Sequence, residues 1–100
     1  MNAADAIRLA QLIDRATELG EAIGDPLECE VGKRFIRLVQ GRAAGHASVH
    51  AFIDIATGDL LKAAGWKAPA KGARGNVLDD ADFARILSVA DRYGSYLYLR

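Results

Sequence analysis

The sequence predicts a single α+β domain, on three observations. Residues 2–23 repeat apolar side chains at spacings of three and four, the period of a helix with one buried stripe. From Lys33 the period shortens to two, and β-branched and aromatic residues gather in short runs bounded by glycine. Helical spacing returns after Leu78. A chain of 100 residues supports one modest core, so residues 1–100 are read as one domain. With 51% hydrophobic and 26% charged residues it is an ordinary globular composition and not that of a disordered tail.

In the first helix, Leu9, Leu12, Ile13, Ala16, Leu19 and Ile23 form the stripe, Asn2 is the expected N-cap, and Gly24 followed by Pro26 supplies the stop. Its length, about 33 Å at 1.5 Å per residue, is generous for so small a domain and predicts a homo-oligomer in which part of the stripe meets a second copy. "RFIRLVQ" and "SVHAFIDI" read as strands joined by a hairpin loop "GRAAGH". The turn "ATGD" puts Gly58 where a positive φ is needed, and "LLKAA" makes a third strand, giving an antiparallel meander. Gly65 to Val77 lacks periodicity and reads as a basic, glycine-rich loop. "LDDADFARILSVADRYGS" is the second helix, capped by Asp79 or Asp80, with Phe83, Ile86, Leu87 and Ala90 inward and Gly94 ending it. "SYLYLR" alternates Tyr96 and Tyr98 with Leu97 and Leu99 and is read as a final strand joining the sheet.

The neutral total charge conceals a segregation. Residues 1–30 carry seven acids against Arg8 and Arg15, net minus five; residues 31–78 carry eight cations against Asp54 and Asp59, net plus six. A protein-wide basic field for duplex binding is excluded, while a local anion site is not. No apolar run reaches about 18 residues and the N-terminus lacks a signal-peptide layout, so a cytoplasmic location without membrane contact is expected. Cys29 is alone, which excludes an internal disulfide and a cysteine-based zinc cluster.

The segment "LKAAGWKAPAKGARGNV" (residues 61–77) places four cations and the single tryptophan together without one acid. Lys62, Lys67 and Lys71 supply point charges for phosphate, Arg74 a bidentate fork, and Asn76 an amide able to read a base or sugar edge. Gly65, Gly72 and Gly75 let backbone N–H groups approach an anion, and Trp66 offers a flat face on which a base stacks for about 1–3 kcal/mol. The predicted ligand-binding set is therefore Lys62, Trp66, Lys67, Lys71, Arg74, Gly75 and Asn76. The plainer account is a solvated basic loop whose tryptophan plugs the core edge. It is not a nucleoside-triphosphate loop, because G-x-x-x-x-G-K-[ST] is absent. Arg34 and Arg37, three apart on a strand, are expected on opposite faces, so that at most one joins the loop.

Other chemistry finds less support. His46 and His50, four apart, would lie about 13 Å from each other on a strand, too far to share a metal. Asp79, Asp80 and Asp82 are explained by helix capping without magnesium. Neither Cys29 nor the serines have a base at a recognisable spacing, so the reading is non-enzymatic, with no cofactor and no metal.

The stretch "VHAFIDIATGDLLKAAGWKAPAKGARGNV", residues 49–77, resembles a family of small proteins of tailed bacteriophages and prophages, in which a T-G-D turn runs into K-x-x-x-W-K-x-P-A-K-x-x-R-G-N. Thr57, Gly58 and Asp59 match the turn, and Lys62, Trp66, Lys67, Pro69, Ala70, Lys71, Arg74, Gly75 and Asn76 match the segment. The resemblance covers about a third of the chain and implies a phage origin and an α+β fold, without assigning an activity.

Three functions fit these readings. The first is a nucleotide-binding protein, in the phage setting one that sequesters a host immune signalling nucleotide as an anti-defence device. The second is an accessory protein gripping single-stranded DNA or RNA, which needs a longer basic track through Arg34, Arg37 and Arg42. The third is an inhibitor docking its loop on an acidic host protein. The charge balance favours the first, since an acidic N-terminal helix repels a long polyanion but leaves a pocket-sized anion undisturbed.

Overall fold

The structure, a computed structural model, describes residues 2–98. Helix α1 (Ala3–Ile23) leads into strands β1 (Leu27–Val31), β2 (Phe35–Gln40), β3 (Ser48–Asp54), β4 (Asp59–Lys62) and β5 (Gly75–Asn76), and helix α2 (Asp80–Val89) follows. The strands form one sheet in chain order with every neighbouring pair antiparallel, an α+β fold as the sequence predicts. Among the described residues no helix is long and apolar enough to cross a membrane.

Local chemistry sets the ends of the elements. The Asn2 side chain accepts from the Asp5 N–H at 2.9 Å, and Gly24 closes α1 in the left-handed region with φ 73°. Asp79 caps α2 by accepting from the Asp82 N–H at 3.0 Å. In the β3–β4 turn Gly58 has φ 80°, as its place in T-G-D requires.

One face of the sheet carries the core. Ile36, Leu38, Ala51, Ile53 and Leu60 are buried against Leu12, Ala16, Leu19 and Ile23 of α1 and Phe83 and Ile86 of α2. Each such side chain contributes about 1.5–3 kcal/mol by leaving water. Leu12, Ala16, Leu19 and Ile23 of the α1 stripe are thus buried within the chain itself, while Ile13 is half-buried.

Three features differ from the sequence reading. β1 was not expected, although "LECEV" alternates: Leu27 and Cys29 pack against the core, while Glu28 and Glu30 share the other face with Arg37 and Val39. Gly75 and Asn76, read as loop, form the short β5 beside Asp59 and Leu60. The predicted final strand is replaced, over Ser95–Leu97, by a 3-10 turn. Gly94 adopts φ 72° and the Asp91 carboxylate accepts from the N–H groups of Tyr93 and Ser95 and from the Ser95 hydroxyl, which folds the chain inward and buries Leu97. Helix α2 accordingly ends at Val89, before Gly94, and Leu99 and Arg100 of that predicted strand lie outside the described residues.

The β2–β3 ladder slips once. Leu38 opposes Ala51 and Val39 opposes Val49, leaving His50 unmatched as a bulge residue. Its side chain is turned into a polar network with Gln40 and Tyr96.

Candidate anion-binding site

The segment between β4 and β5 is tightly ordered by its own backbone. Ala63 bridges Pro69, and the N–H groups of Ala64 and Gly65 both donate to the Ala68 carbonyl, at 3.1 and 3.3 Å. Ala70 N donates to Lys62 O and Arg74 N to Leu60 O, each at 2.7 Å. These four N–H groups, which an anion nest would need, are engaged within the fold.

The sheet divides the seven predicted site residues. Lys62 lies opposite Ala51, on the helix-covered face, where its ammonium sits 4.7 Å from the Tyr98 ring centroid and donates to the Ala63 carbonyl. Trp66 and Lys67 lie over the opposite, outer face: the Trp66 carbonyl accepts from Arg37 Nε at 2.8 Å, and Lys67 borders a hollow floored by Phe35 and Phe52. Lys71 is exposed.

Arg74, Gly75 and Asn76 act as structural staples. The Arg74 guanidinium donates to the carbonyls of Leu97 (2.8 Å), Lys71 (2.6 Å) and Gly72, tying the loop to the C-terminal turn. Asn76 makes all four bonds its amide allows: Nδ2 donates to Thr57 O and Asp59 Oδ1, and Oδ1 accepts from the N–H groups of Leu78 and Asp79. No amide capacity remains to read a base. At Gly75 an added Cβ would stand 2.7 Å from Ile86 Cδ1, so glycine there serves close packing. Asp82 reinforces the joint, and its hydrogen bonds from Arg85 and then from the Asn76 N–H hold its carboxyl below the usual range.

What gathers on the outer face is a row across three strands, Glu30, Arg37 and Phe52, with Leu61 beyond. Arg37 is central: its guanidinium carbon lies 5.6 Å from the Trp66 ring and 5.9 Å from that of Phe52, and Nη1 pairs with Glu30 at 3.0 Å. Arg34 stacks on Phe35 at 4.9 Å and reaches Asp54 at 3.8 Å. Lys33, Arg34, Arg37 and Lys67 border one hollow of about 230 Å³, with Glu30 its single acid. Only Arg37 bonds the 65–77 loop, at the Trp66 carbonyl, but Arg34 precedes β2, in the β1–β2 turn, where strand alternation does not apply, so both border the hollow. The sequence reading missed Lys33 for want of any motif around it. Among the described residues no carboxylate lies within ion-pair distance of Lys33, Lys67 or Lys71.

Arg42, the third arginine of the strand-binding reading, is held by Glu28 at 2.6 Å and Glu30 at 3.1 Å. The basic area therefore ends at an acidic edge along β1.

A second hollow, of about 570 Å³, opens where the β2–β3 loop meets the turn after α2, with Arg42, His46, Ser48, Arg92 and Tyr93 at its walls. His50 lies beneath it, fully bonded. Gln40 Nε2 donates to Asp25 and to the Arg92 carbonyl, so its Oε1 faces His50 Nδ1 at 2.8 Å, which must carry the proton. Nε2 then accepts from the Tyr96 hydroxyl at 2.7 Å. Burial lowers the His50 pKa to about 4, outweighing the opposing pull of Asp91 and Asp25, and burial likewise pushes the Tyr96 hydroxyl well up. Among the described residues no group of three or more metal-binding side chains comes together.

The fold and this face define a small α+β protein with helices on one face of the sheet and arginine and aromatic side chains gathered on the other. The chain belongs to a family of unknown function, DUF7717, whose model matches residues 5–99. No curated protein and no solved structure matches it.

Proposed function

We propose that the protein is a non-enzymatic binding protein for a phosphorylated ligand, a nucleotide, held on the outer face of the sheet. The observation that carries this is the convergence of Lys33, Arg34, Arg37 and Lys67 on one aromatic-floored hollow against a single carboxylate. Phosphate oxygens take the Arg34 guanidinium fork and the Lys33 and Lys67 ammonium groups, with Arg37 adding its charge; Trp66, 44% exposed and held by Arg37 through its carbonyl, offers its ring to the base. The resemblance to phage proteins supports a sequestering, anti-defence role for such a site. Single-stranded nucleic acid is the second reading, disfavoured because Glu28 and Glu30 hold Arg42 and interrupt the basic track; docking on an acidic host protein is the third.

Trp66 fluorescence tests the proposal on the full chain, titrated with mononucleotides and with a short oligothymidylate at low and high salt. Saturable quenching by a nucleotide with weak salt dependence, reduced about tenfold in Lys67→Ala and in Arg34→Ala, is the expected result. A response to the oligonucleotide alone that collapses with salt replaces it with strand binding, and silence toward both overturns it.

A further inference from the structure

The outer-face hollow is small for the ligand it is read to hold. At about 230 Å³ it falls below the range of roughly 300–1,000 Å³ usual for small-molecule sites, so a nucleotide seated there overhangs it. The overhang has a natural direction. Across the Lys33–Arg34 turn lies another hollow, of about 490 Å³, between α1 and the two sheet turns. Its walls are largely aliphatic: Leu9 from α1, Val31 from β1, and Ile55 and Ala56 from the β3–β4 turn. Val31, Gly32, Lys33 and Arg34 border both hollows, so the turn is a partition with two cations on it. Arg8 and Asp5 of α1 complete the second hollow, giving it three cations against one acid.

From this arrangement we infer that the two hollows take one ligand, a phosphodiester-linked dinucleotide, an inference that rests on the nucleotide reading above. One base stacks on Trp66, 44% exposed beside Arg37 and next to Lys67 at the rim of the outer-face hollow. The phosphodiester crosses the partition at Lys33 and Arg34, and the second base enters the aliphatic hollow. The turn is suited to the anion it would carry. Lys33 and Arg34 are exposed, and the Arg34 side chain is 76% accessible with its nearest carboxylate 3.8 Å away, a long and weak pairing that leaves the guanidinium forks for phosphate. An aliphatic wall cannot discriminate among bases by hydrogen bonding, so the second subsite accepts any base by burial of its faces, and selectivity rests on length. Trp66 and the aliphatic hollow provide for two bases, and a third finds neither a ring nor a concavity beyond them.

The experiment titrates the full chain with AMP, with the 5′-phosphorylated dinucleotide pApA and with longer oligoadenylates, reading Trp66 fluorescence. The expected result is that pApA binds at least about tenfold tighter than AMP, with no further gain at the trimer and tetramer. Ala56→Glu and its neutral counterpart Ala56→Gln fill the second hollow from an exposed position whose side chain holds nothing in place. Both should collapse the ratio of pApA to AMP affinity to about one, with unfolding midpoints confirming that the variants are folded. AMP binding with no gain for pApA overturns this inference alone. Affinity that climbs with every added nucleotide overturns it in favour of a strand-binding surface, and silence toward AMP and pApA alike overturns the nucleotide reading and this one with it.

Discussion

Acidification should destabilise the fold in a window set by one residue, His50. The imidazole is 6% exposed and neutral, its two nitrogens taken by Gln40 and Tyr96, and burial lowers its pKa from 6.5 to about 4. The folded value lies below the unfolded one, so between the two the unfolded chain binds more protons and stability falls as pH falls. Each unit of difference is worth about 1.4 kcal/mol, which gives a loss of roughly 2–3 kcal/mol between pH 7.5 and pH 4.5. Asp82 and Asp91 have values lowered from 3.8, so the stability they contribute is lost as pH falls through and below about 3.8, at the acid end of this window and beyond it. Urea unfolding at closely spaced pH values is the assay, and with a slope of about 1–2 kcal/mol/M the midpoint should move by roughly 1–3 M. In His50→Gln, which keeps an amide able to bond Gln40 and Tyr96, the dependence between pH 6.5 and 4 should flatten whatever its stability at neutral pH. A wild-type midpoint that stays constant over that window, or a His50→Gln variant retaining the same slope, would refute the reasoning.

Three further outcomes follow from the geometry. Arg74→Ala removes a guanidinium that serves three carbonyls, and thermal unfolding should register a loss of about 2–4 kcal/mol, far more than an exposed ligand-binding arginine would cost. Gly58→Ala forces a side chain into the left-handed region and sets its Cβ 2.7 Å from Leu78 Cγ, so chemical denaturation should show at least about 1–2 kcal/mol of destabilisation. The Cys29 thiol, whose pKa burial raises, should react slowly with a thiol reagent at pH 8 in the native protein and at an ordinary rate in urea.

The parts of the fold that were legible in the sequence are those written in neighbouring residues. Asn2, Gly24, Gly58 and Asp79 each act on backbone groups within a few positions, and the stripe of α1 is a property of that segment alone. What escaped depends on distant partners. "LECEV" carries two glutamates that become good strand residues only opposite Arg37 and beside Arg42, which arrive later in the chain. At the C-terminus the alternation of tyrosine and leucine imitated a strand, and the turn chemistry of Asp91 and Gly94 prevailed. In the candidate site the sequence marked Trp66 and Lys67 but could not separate them from Arg74 and Asn76. A glycine-rich loop leaves carbonyls and amides in need of partners, and the side chains that satisfy them are of the same types that bind phosphate.

The segregation of charge takes on a different meaning in three dimensions. From the sequence, the acidic first helix is the barrier to a long polyanion, but α1 packs on the core face of the sheet while the outer-face hollow opens on the other, so α1 does not supply that repulsion at the outer-face hollow. The barrier comes instead from Glu28 and Glu30, which stand on the outer face one strand away from the cations and hold Arg42. Within about 8 to 10 Å, the screening length at ordinary ionic strength, such an edge is felt by each phosphate that approaches it. It limits how far an anion can run along the sheet toward β1 and leaves the turn at Lys33 and Arg34 as the way onward, toward α1 and not across the strands. Exchanging Glu28, which holds Arg42 but does not border the hollow, for glutamine should therefore raise affinity for long single strands more than for a mononucleotide, and an equal rise for both would mean that this acidic edge plays no part in choosing the ligand's length.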